Sequence, residues 1–379
     1  QYYWADQIGM FVWQDMPHAT AMVPVSNGKI TEGAATPGRE HYEYALENML
    51  TKLIYNHPSV ISVMLFNETW GLQPAYNNER DVNIENDQGM STYQWVQQMY
   101  KHAKELDPNI MVEDMSPCNQ DHIQPTDLNT FHMYPKGYTN SKNDVSYFAE
   151  GAEEGSTRNF KFGNSYQGEP FLNSEYGGVA AYDGDWDVSW CFKYQTDILR
   201  QQEKLNGFVY TEPYDIEYER NGILTYDRRE KVFGYDEAAY GGDMSINDLT
   251  QSEYVGLDVN PALVVRPGAQ YSAPAVSMRW TDETLPAHTL KWRFDATDVY
   301  GNQISTGLSG SFDIEFGPYQ RESNTIEFRL PSQECVGTVT VWIENESGET
   351  VAKNFANVIV SDGKKNDEIS QTGENSLVL

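Results

Sequence analysis

Residues 56–71, NHPSVISVMLFNETWG, determine how the rest of the chain is interpreted. The stretch opens with Asn-His-Pro, which is a signal for the end of a helix. Residues 60–66 form an apolar run rich in branched side chains, which is typical of a strand buried on both faces. The run ends in Asn67 and Glu68, two polar side chains that packing does not require. Because the catalytic groups of a parallel α/β barrel lie at the carboxyl ends of its strands, we interpret Glu68 as a catalytic acid.

The first 242 residues alternate between strand patterns and helix patterns. Strands are predicted at residues 8–14, 60–66, 110–115, 128–134, 171–178 and 207–214. Helices are predicted at residues 41–56, 92–106 and 189–205, while residues 136–169 carry only weak helix signals. Helices that connect successive strands indicate a parallel sheet with crossover connections. The predicted fold class of this portion is therefore α/β.

The pattern changes near residue 253. Seven short runs that alternate between apolar and polar residues follow, separated by Gly, Pro, Asn and Asp. Such runs are typical of a small antiparallel β-sandwich. We therefore predict an α/β portion at residues 1–242, a linker at 243–252, a sandwich at 253–360 and a polar tail at 361–379.

The chain carries a formal net charge of −30, from 26 basic and 56 acidic residues. This charge disfavours nucleic acids and anionic membranes as partners, because both attract basic surfaces. No apolar run approaches the roughly 18 residues that a membrane-spanning helix needs. The three cysteines, Cys118, Cys191 and Cys335, lack the spacing of a metal or redox motif, and their odd number excludes a fully paired disulfide framework.

A second carboxylate, Glu175, ends another predicted strand, FLNSEYGG. Either glutamate alone could cap a following helix or pair with an arginine. Two glutamates at matching ends of strands instead favour a pair that works together, one as an acid and one as a base or nucleophile.

Five segments together resemble the pattern of glycoside hydrolase family 2, within the clan of (β/α)8 retaining glycosidases. In family order they are GMFVWQDMPH, NHPSVISVMLFNETWG, FHMYP, FLNSEYGG and GFVYTEPYDIEYERNGILTYDRREK, which cover roughly residues 1–240. The resemblance implies a partial TIM barrel, with about six of its eight strands in residues 1–242, followed by an immunoglobulin-like β-sandwich. Because an open barrel exposes strand edges, it also implies a companion chain or segment that supplies the missing N-terminal part.

The resemblance implies that Glu68 is the general acid/base and that Glu175 is the nucleophile of a double displacement through a covalent glycosyl-enzyme. It implies no cofactor and no metal. The carboxyl groups lie about 5–5.5 Å apart in a retaining enzyme and about 6.5–9.5 Å apart in an inverting one, so their distance separates the two mechanisms.

Ten further side chains lie at predicted strand ends or in loops of the same face. The substrate-binding candidates are Trp13, Asp15, Asn67, Trp70, His132, Tyr134, Tyr176, Trp186, Tyr210 and Glu212. Asn67 is expected to bind the sugar 2-hydroxyl. Asp15 binds a sugar hydroxyl or orients His18, and Tyr176 bonds the nucleophile or packs in the core. For the others, too, packing or a salt bridge stays open as the alternative.

The expected substrate is an oligo- or polysaccharide, and the expected enzyme is an exo-acting β-glycosidase of the β-galactosidase type. The β-glucuronidase branch of the family carries Asn-x-Lys where this chain reads Glu219-Arg220-Asn221, so the lysine that binds a uronate is absent, although Arg220 could replace it as a cation. A β-glucuronidase, a β-mannosidase and a non-catalytic carbohydrate-binding fragment stay open as alternatives. The polysaccharide-degrading class and the acidic surface predict a secreted or periplasmic location.

Overall fold

The chain divides into two compact units. The computed structural model describes residues 1–17, 25–26, 29–30, 35–68, 92–117, 122–135, 138–177, 188–217, 219–282, 288–315 and 317–363. The first unit comprises Gln1–Pro135, Thr139–Tyr176 and Gln202–Thr211, and the second comprises Lys136–Tyr138, Gly177–Gln201 and Glu212–Leu379.

The first 210 residues contain both helices and strands. They are α1 (Tyr2–Ile8), β1 (Val12–Asp15), β2 (Val25–Ser26), β3 (Lys29–Ile30), α2 (Ala35–Asn48), a π-helical turn (Met49–Leu53), β4 (Val60–Met64), α3 (Thr92–Leu106), β5 (Met111–Glu113), β6 (Asn129–Met133), α4 (Tyr138–Ala149), a 3-10 turn (Glu150–Ala152), β7 (Phe171–Tyr176), α5 (Val188–Gln201) and β8 (Gly207–Tyr210). In the described residues, the expected strict alternation is broken where β1, β2 and β3 follow one another and where β6 follows β5. Strands β1, β4 and β5 form one parallel sheet and β6, β7 and β8 form another, while β2 and β3 pair as a short hairpin. Each of the six predicted strands is therefore present, and over the described residues the two parallel sheets do not close into a barrel.

An aromatic cluster fixes the carboxyl end of β4. The ring of Phe66, just beyond the strand, stacks on Tyr42 of α2 at 4.9 Å between centroids and lies 5.3 Å from the ring of Trp95 of α3. All three side chains are buried. Burying a side chain such as Phe66 contributes about 1.5–3 kcal/mol, so this cluster anchors the segment that leads into Glu68.

The N-terminal strand begins later than the predicted range of residues 8–14. Helix α1 includes Ile8, and Gly9 ends the helix in the left-handed conformation at φ 70°. Strand β1 starts only at Val12, and Phe11 before it is 76% exposed. The apolar run that suggested one strand therefore belongs to a helix end, an exposed connection and a shorter strand.

Helix α4 forms where the sequence carries only weak helix signals. Its sequence contains Thr, Asn, Ser and Asp, whose side chains compete with the helical backbone for hydrogen bonds. Its stability comes from packing, because Val145 is buried and the ring of Phe148 stacks on Phe131 at 4.6 Å. By contrast, the predicted helix at residues 92–106 is confirmed by α3, and the predicted helix at 41–56 begins earlier, at Ala35, and ends at Leu53.

The second unit contains a β-sandwich of eight strands. They are β9 (Glu253–Leu257), β10 (Ala262–Val265), β11 (Gln270–Arg279), β12 (His288–Thr297), β13 (Gln303–Ile314), β14 (Arg321–Arg329), β15 (Cys335–Glu344) and β16 (Thr350–Val360). One sheet has the order β10-β16-β15-β12-β13 and the other β14-β11-β9. Phe294 of the first sheet and Phe328 of the second lie 5.2 Å apart in a shared core. The sequence predicted seven of these strands and missed β10, a four-residue edge strand that pairs in parallel with β16.

The helices of the second unit lie beside this sandwich. Helix α5 falls inside the predicted α/β portion, but by its contacts it belongs to the second unit. Short helices α6 (Tyr235–Ala238) and α7 (Asn247–Thr250) follow, the latter in the predicted linker. The predicted domain boundaries stay predictions, and residues 364–379 of the predicted tail lie outside the described residues.

Two cysteines, Cys191 and Cys335, are buried and free, and Cys118 lies outside the described residues. Among the described helices, none has the length and apolar character needed to cross a bilayer.

Candidate active site

Two neighbouring strands and the segment after a third bring one histidine and two glutamates together. Strands β6 and β7 pair in parallel with His132 next to Glu175. Glu68 follows β4, and its Oε1 atom lies 2.6 Å from Nδ1 of His132. The same Nδ1 atom lies 3.3 Å from Oε2 of Glu175. One ligand atom from each of the three residues lies within 4.8 Å of the other two, so both glutamates face one imidazole nitrogen.

The backbone at Glu68 is strained. Its φ angle is 52°, in the left-handed region that residues with a side chain rarely adopt. The backbone N–H of Glu68 donates to the carbonyl oxygen of Ser116 at 2.8 Å, and Asn67 forms an isolated parallel bridge with Ser116. Backbone strain of this kind persists where the surrounding structure imposes it, and it concentrates at functional sites.

His132 is also held from its other side. Its Nε2 atom lies 2.5 Å from the hydroxyl of Ser116, which lies 3.0 Å from the hydroxyl of Ser174. The sequence analysis did not single out either serine. A signal was present for Ser116, because it closely follows the third predicted strand in the way that Glu68 follows the second.

Tyr134 binds one of the two carboxylates directly. Its hydroxyl donates to Oε2 of Glu175 at 2.7 Å. Burial, and next the negative charge of Glu175, raise the pKa of the Tyr134 phenol. The phenol therefore stays protonated and serves as a fixed donor to Glu175.

Asp15, at the end of β1, belongs to the same electrostatic environment. Desolvation raises the pKa of its carboxyl group to about 6, and the charge of Glu175 adds to this rise while His132 opposes it. The Asp15 side chain itself is exposed. It therefore lies at the rim of the site, where protein atoms displace part of its hydration. His18, which Asp15 was alternatively expected to orient, lies outside the described residues.

The predicted binding residues Asn67 and Trp13 each contain a buried polar atom without a hydrogen-bond partner in the described part of the chain. These atoms are Oδ1 of Asn67 and Nε1 of Trp13. A buried polar atom is costly to leave unpaired. The expectation that Asn67 and Trp13 bind substrate stays a prediction.

The other predicted binding residues are placed differently or are not described. Tyr176 is fully buried and packs edge-on against Tyr210 at 5.1 Å between ring centroids. Glu212 is buried in the second unit. Trp70 and Trp186 lie outside the described residues.

A buried carboxyl group on β5 was not predicted. Glu113 has no exposed surface and accepts a hydrogen bond from the Thr130 hydroxyl at 2.5 Å. Burial raises the pKa of Glu113 well above its ordinary value, and the charges of Asp114, Asp15 and Glu175 add to this rise. Glu113 is therefore a neutral hydrogen-bonding group within the fold rather than a second acid exposed to substrate.

The site offers an imidazole nitrogen and two carboxylate oxygens, which is also a donor set that divalent metal ions bind. The described residues contain no other group of three such side chains within this range of one another. The expectation that the chemistry needs no metal stays a prediction.

Comparison with known proteins identifies a shared fold but no family. No family model matches the chain, and no curated protein matches it. Among solved structures, the exo-chitosanase CsxA of Amycolatopsis orientalis matches at TM-score 0.52 and 10% identity, over 95% of this chain and 43% of that one. A β-glucuronidase of Bacteroides uniformis matches at TM-score 0.45 and 18% identity, and a putative β-galactosidase of Bacteroides fragilis at TM-score 0.45 and 14% identity.

The two Bacteroides matches include 95% and 97% of this chain, but only 40% and 49% of the matched proteins. It thus spans less than half the length of these structural neighbours, which are glycoside hydrolases. The match to CsxA shows that the chain shares its fold with part of such an enzyme.

Proposed function

We propose that this chain is the catalytic portion of a family 2 retaining β-glycoside hydrolase. The observation that carries the proposal is the placement of Glu68 and Glu175 around Nδ1 of His132, with carboxylate oxygens within 4.8 Å. The bound of 4.8 Å applies to one oxygen of each carboxylate, and oxygens this close support the narrow pair of a retaining enzyme, whose carboxyl groups lie roughly 5–5.5 Å apart, over the pair of an inverting enzyme, at roughly 6.5–9.5 Å.

In the first half of the proposed reaction, a carboxylate oxygen of Glu175 attacks the anomeric carbon of the bound sugar. The bond to the leaving-group oxygen breaks, and that oxygen takes the proton of the Glu68 carboxyl group. The products of this step are the free alcohol, the ionised Glu68 and a covalent ester between the sugar and Glu175.

In the second half, Glu68 acts as the base. It removes a proton from water as the water oxygen attacks the anomeric carbon, and Glu175 leaves as a carboxylate. The sugar is released with its original anomeric configuration, and Glu68 is protonated again for the next cycle.

The neighbouring side chains support these two roles. The Tyr134 hydroxyl, 2.7 Å from Glu175, holds the attacking carboxylate in place. The buried amide oxygen of Asn67 is available to accept a hydrogen bond from the sugar 2-hydroxyl, a contact that strengthens in the transition state. Asp15 at the rim is a candidate to bind another sugar hydroxyl.

We propose a terminal β-galactoside of an oligo- or polysaccharide as the substrate, released from the chain end. The motif Glu219-Arg220-Asn221 lacks the lysine expected for a uronate-binding enzyme, which favours a neutral sugar. β-Glucuronidase and β-mannosidase activities are the alternatives within the family. A companion chain or segment that completes the sheets, and a secreted or periplasmic location, belong to the same proposal.

A carbohydrate-binding role without hydrolysis is the second candidate. It is favoured by the two three-stranded parallel sheets, which do not close in the described part of the chain. A barrel that is open around its substrate can bind a sugar without holding it in the geometry that reaction needs.

A panel of 4-nitrophenyl β-glycosides tests the proposal. The galactoside, glucuronide, glucosaminide and mannoside are offered to the chain and to its Glu175→Ala variant. We expect the wild-type chain, assembled with the companion segment proposed above, to release nitrophenol and the Glu175→Ala variant to release none, and we expect NMR to show the β-anomer as the first product. An α-anomer as first product would exclude the retaining mechanism, and binding of a glycoside without release by the wild-type chain would favour the second candidate.

A further inference from the structure

The outer face of the five-stranded sheet of the sandwich carries a polar groove. On β12 the buried side chain of Phe294 points into the core, so Asp295 and Thr297, which follow at alternate positions, point outward. On the neighbouring strand β15, Thr338 lies opposite Asp295, and Val336 lies opposite Thr297. These four residues form the floor of a groove of about 450 Å³. Sites for small molecules have volumes of roughly 300–1,000 Å³, so the groove has room for one.

Residues 237–240 form one wall of this groove. The backbone holds the wall on the sheet, because the N–H of Tyr240 donates to the hydroxyl of Thr340 at 2.9 Å and its carbonyl oxygen accepts from the ammonium group of Lys353 at 3.0 Å. The guanidinium group of Arg293 lies over the ring of Tyr240, 4.1 Å from its centroid. The ring is nevertheless 45% exposed. The wall therefore presents a fixed aromatic surface to whatever enters the groove.

The lining combines groups that suit a sugar. The ring of Tyr240 offers an apolar face, against which the C–H groups of a sugar ring can pack. The carboxylates of Glu237 and Asp295 accept hydrogen bonds, and the hydroxyl of Thr297 and the amide of Gln303 both donate and accept them. A sugar has the matching arrangement, with apolar ring faces and hydroxyl groups around the edge.

The charge of the groove favours one class of sugar. Among the described residues that line it, none is a lysine or an arginine, whereas Glu237 and Asp295 are acidic. Arg293 pairs with Asp295 at 2.7 Å and offsets its charge, and Glu237 adds a second negative charge. A uronate carboxylate would be repelled by Glu237, so the groove favours a neutral sugar.

We propose that this groove is a second carbohydrate site, which binds a neutral sugar residue of an oligo- or polysaccharide. The choice of ligand rests on the proposed function, which names such a saccharide as the substrate. The groove belongs to the second unit, whereas Glu68, His132 and Glu175 belong to the first, so its residues take no part in the proposed reaction. A second contact with the same polymer raises the effective concentration of that polymer at the enzyme.

NMR on the whole chain tests whether the groove binds a sugar. Valine and threonine methyl groups are labelled with carbon-13, so that Val336 and Thr297 report on the groove, and Glu175→Ala is the background in which no ligand is hydrolysed. The ligands are methyl β-galactoside, methyl β-glucoside and methyl β-glucuronide. We expect both neutral glycosides to shift these methyl signals saturably, and the glucuronide to bind several-fold more weakly. Unchanged Val336 and Thr297 signals with both neutral glycosides would overturn the inference.

Two tyrosine variants test whether the aromatic wall carries the binding. Tyr240→Ala removes the ring and leaves the backbone contacts with Thr340 and Lys353 in place. We expect it to raise the Kd of the galactoside by about tenfold or more. Tyr319→Ala is the matched control, because Tyr319 is 71% exposed in the same unit and does not line the groove. It should leave the Kd unchanged. Wild-type affinity in Tyr240→Ala, or equal losses in the two variants, would contradict the proposed site.

Glu237→Gln tests the selection by charge. Glu237 is exposed, so the substitution should not disturb folding. Removing this negative charge should strengthen binding of the glucuronide by about twofold to fivefold, and it should change the Kd of the galactoside by less. A glucuronide that binds Glu237→Gln no better than the parent chain would show that charge does not select the ligand, against the inference.

The proposed function and this inference can fail separately. If the chain hydrolyses none of the glycosides in the panel but Val336 and Thr297 respond to a neutral glycoside, the proposed function is wrong and the sandwich still binds sugar. If the chain hydrolyses a glycoside but the two methyl signals do not respond to either neutral glycoside, the proposed function holds and the second site is refuted.

Discussion

Nδ1 of His132 lies 2.6 Å from Oε1 of Glu68, which is a short hydrogen bond between an imidazole and a carboxyl group. The same nitrogen lies 3.3 Å from Glu175, so one ring nitrogen separates the two groups that we propose as acid/base and nucleophile. Two carboxylates this close would repel one another if both were ionised. A donor between them reduces that repulsion.

The first prediction concerns the nucleophile. We expect Glu175→Ala to lower kcat by on the order of 10⁴-fold or more, because the attacking atom is removed. Azide can occupy the space left by the carboxylate and attack in its place. Added azide should therefore restore measurable turnover of an activated aryl glycoside and yield a glycosyl azide, which mass spectrometry detects.

Glu113→Gln is the matched control for this experiment. It alters a buried carboxyl group of the same unit that we expect to be already neutral. We expect the variant to retain most of the wild-type rate and to show no response to azide. Undiminished turnover in Glu175→Ala would show that another group is the nucleophile.

The second prediction concerns the Tyr134 hydroxyl, which donates to Glu175 at 2.7 Å. Because this hydrogen bond holds the attacking carboxylate, Tyr134→Phe should lower kcat by about tenfold, with a smaller change in KM. Steady-state kinetics on one aryl glycoside would measure both constants. As a control, Tyr42→Phe removes a buried hydroxyl that donates to the backbone oxygen of Leu65. Its effect should fall on stability, and a loss of kcat as large as that of Tyr134→Phe would argue against a specific role.

The sequence predicted the parts of the fold that depend on local patterns. Helix α3 has the predicted bounds, because a regular apolar period is followed by Asp107-Pro108, which cannot continue a helix. Helix α4 was missed because its stability comes from the packing of Val145 and Phe148 rather than from helix propensity. Strand β10 was missed because four half-exposed residues carry too little pattern.

The site could be predicted only to the level of strand ends. Glu68, His132 and Glu175 follow or end buried strands, so a rule about the carboxyl ends of parallel strands selects them. Their mutual distances depend on the register between β6 and β7 and on the left-handed backbone at Glu68, neither of which a sequence pattern specifies. For the same reason, the contact of Ser116 with the imidazole ring could not be foreseen.

The third prediction concerns pH and Asp15, whose pKa is raised to about 6 by desolvation and by Glu175. The folded chain therefore binds this proton more tightly than the unfolded chain, where the pKa is about 3.9. The stabilisation from Asp15 is fully present below the unfolded pKa and is lost as pH rises through about 6. Asp15→Asn does not titrate, so relative to wild type it should gain stability between these two values. Urea unfolding at the acidic and neutral ends of this range measures the difference.

Asp298→Asn provides a control of opposite sign. Hydrogen bonds from Asn302, from its side chain first and then its backbone N–H, lower the pKa of Asp298. Its stabilisation is therefore present above the unfolded pKa and lost as pH falls. Relative to wild type, Asp298→Asn should lose stability as pH rises from the strongly acidic range. The same pH trend in both variants would indicate a general effect of pH on the fold rather than these two groups.

The last prediction concerns the second unit, where helix α5 places Asp197 against the sandwich. Asp197 accepts hydrogen bonds from Tyr254 at 2.6 Å, from Asn354 at 2.7 Å and from the ammonium group of Lys193 at 2.8 Å. The side chains of Asp197 and Lys193 are 8% and 7% exposed. Asp197→Ala would leave a buried ammonium group without its counter-charge, so we expect the free energy of unfolding to fall by about 3–5 kcal/mol. Denaturant unfolding followed by fluorescence would measure it.

The exposed pair of Lys204 and Glu153 gives the contrast that makes this prediction specific. These groups lie 2.8 Å apart, as close as Asp197 and Lys193, but their side chains are 38% and 63% exposed. Water and salt screen an exposed pair, so Glu153→Ala should cost less than about 1 kcal/mol. Asp197→Ala could lower the free energy of unfolding by no more than Glu153→Ala only if water hydrated the Lys193 ammonium group after its partner was removed. That result would show that a buried charge does not bind α5 to the sandwich.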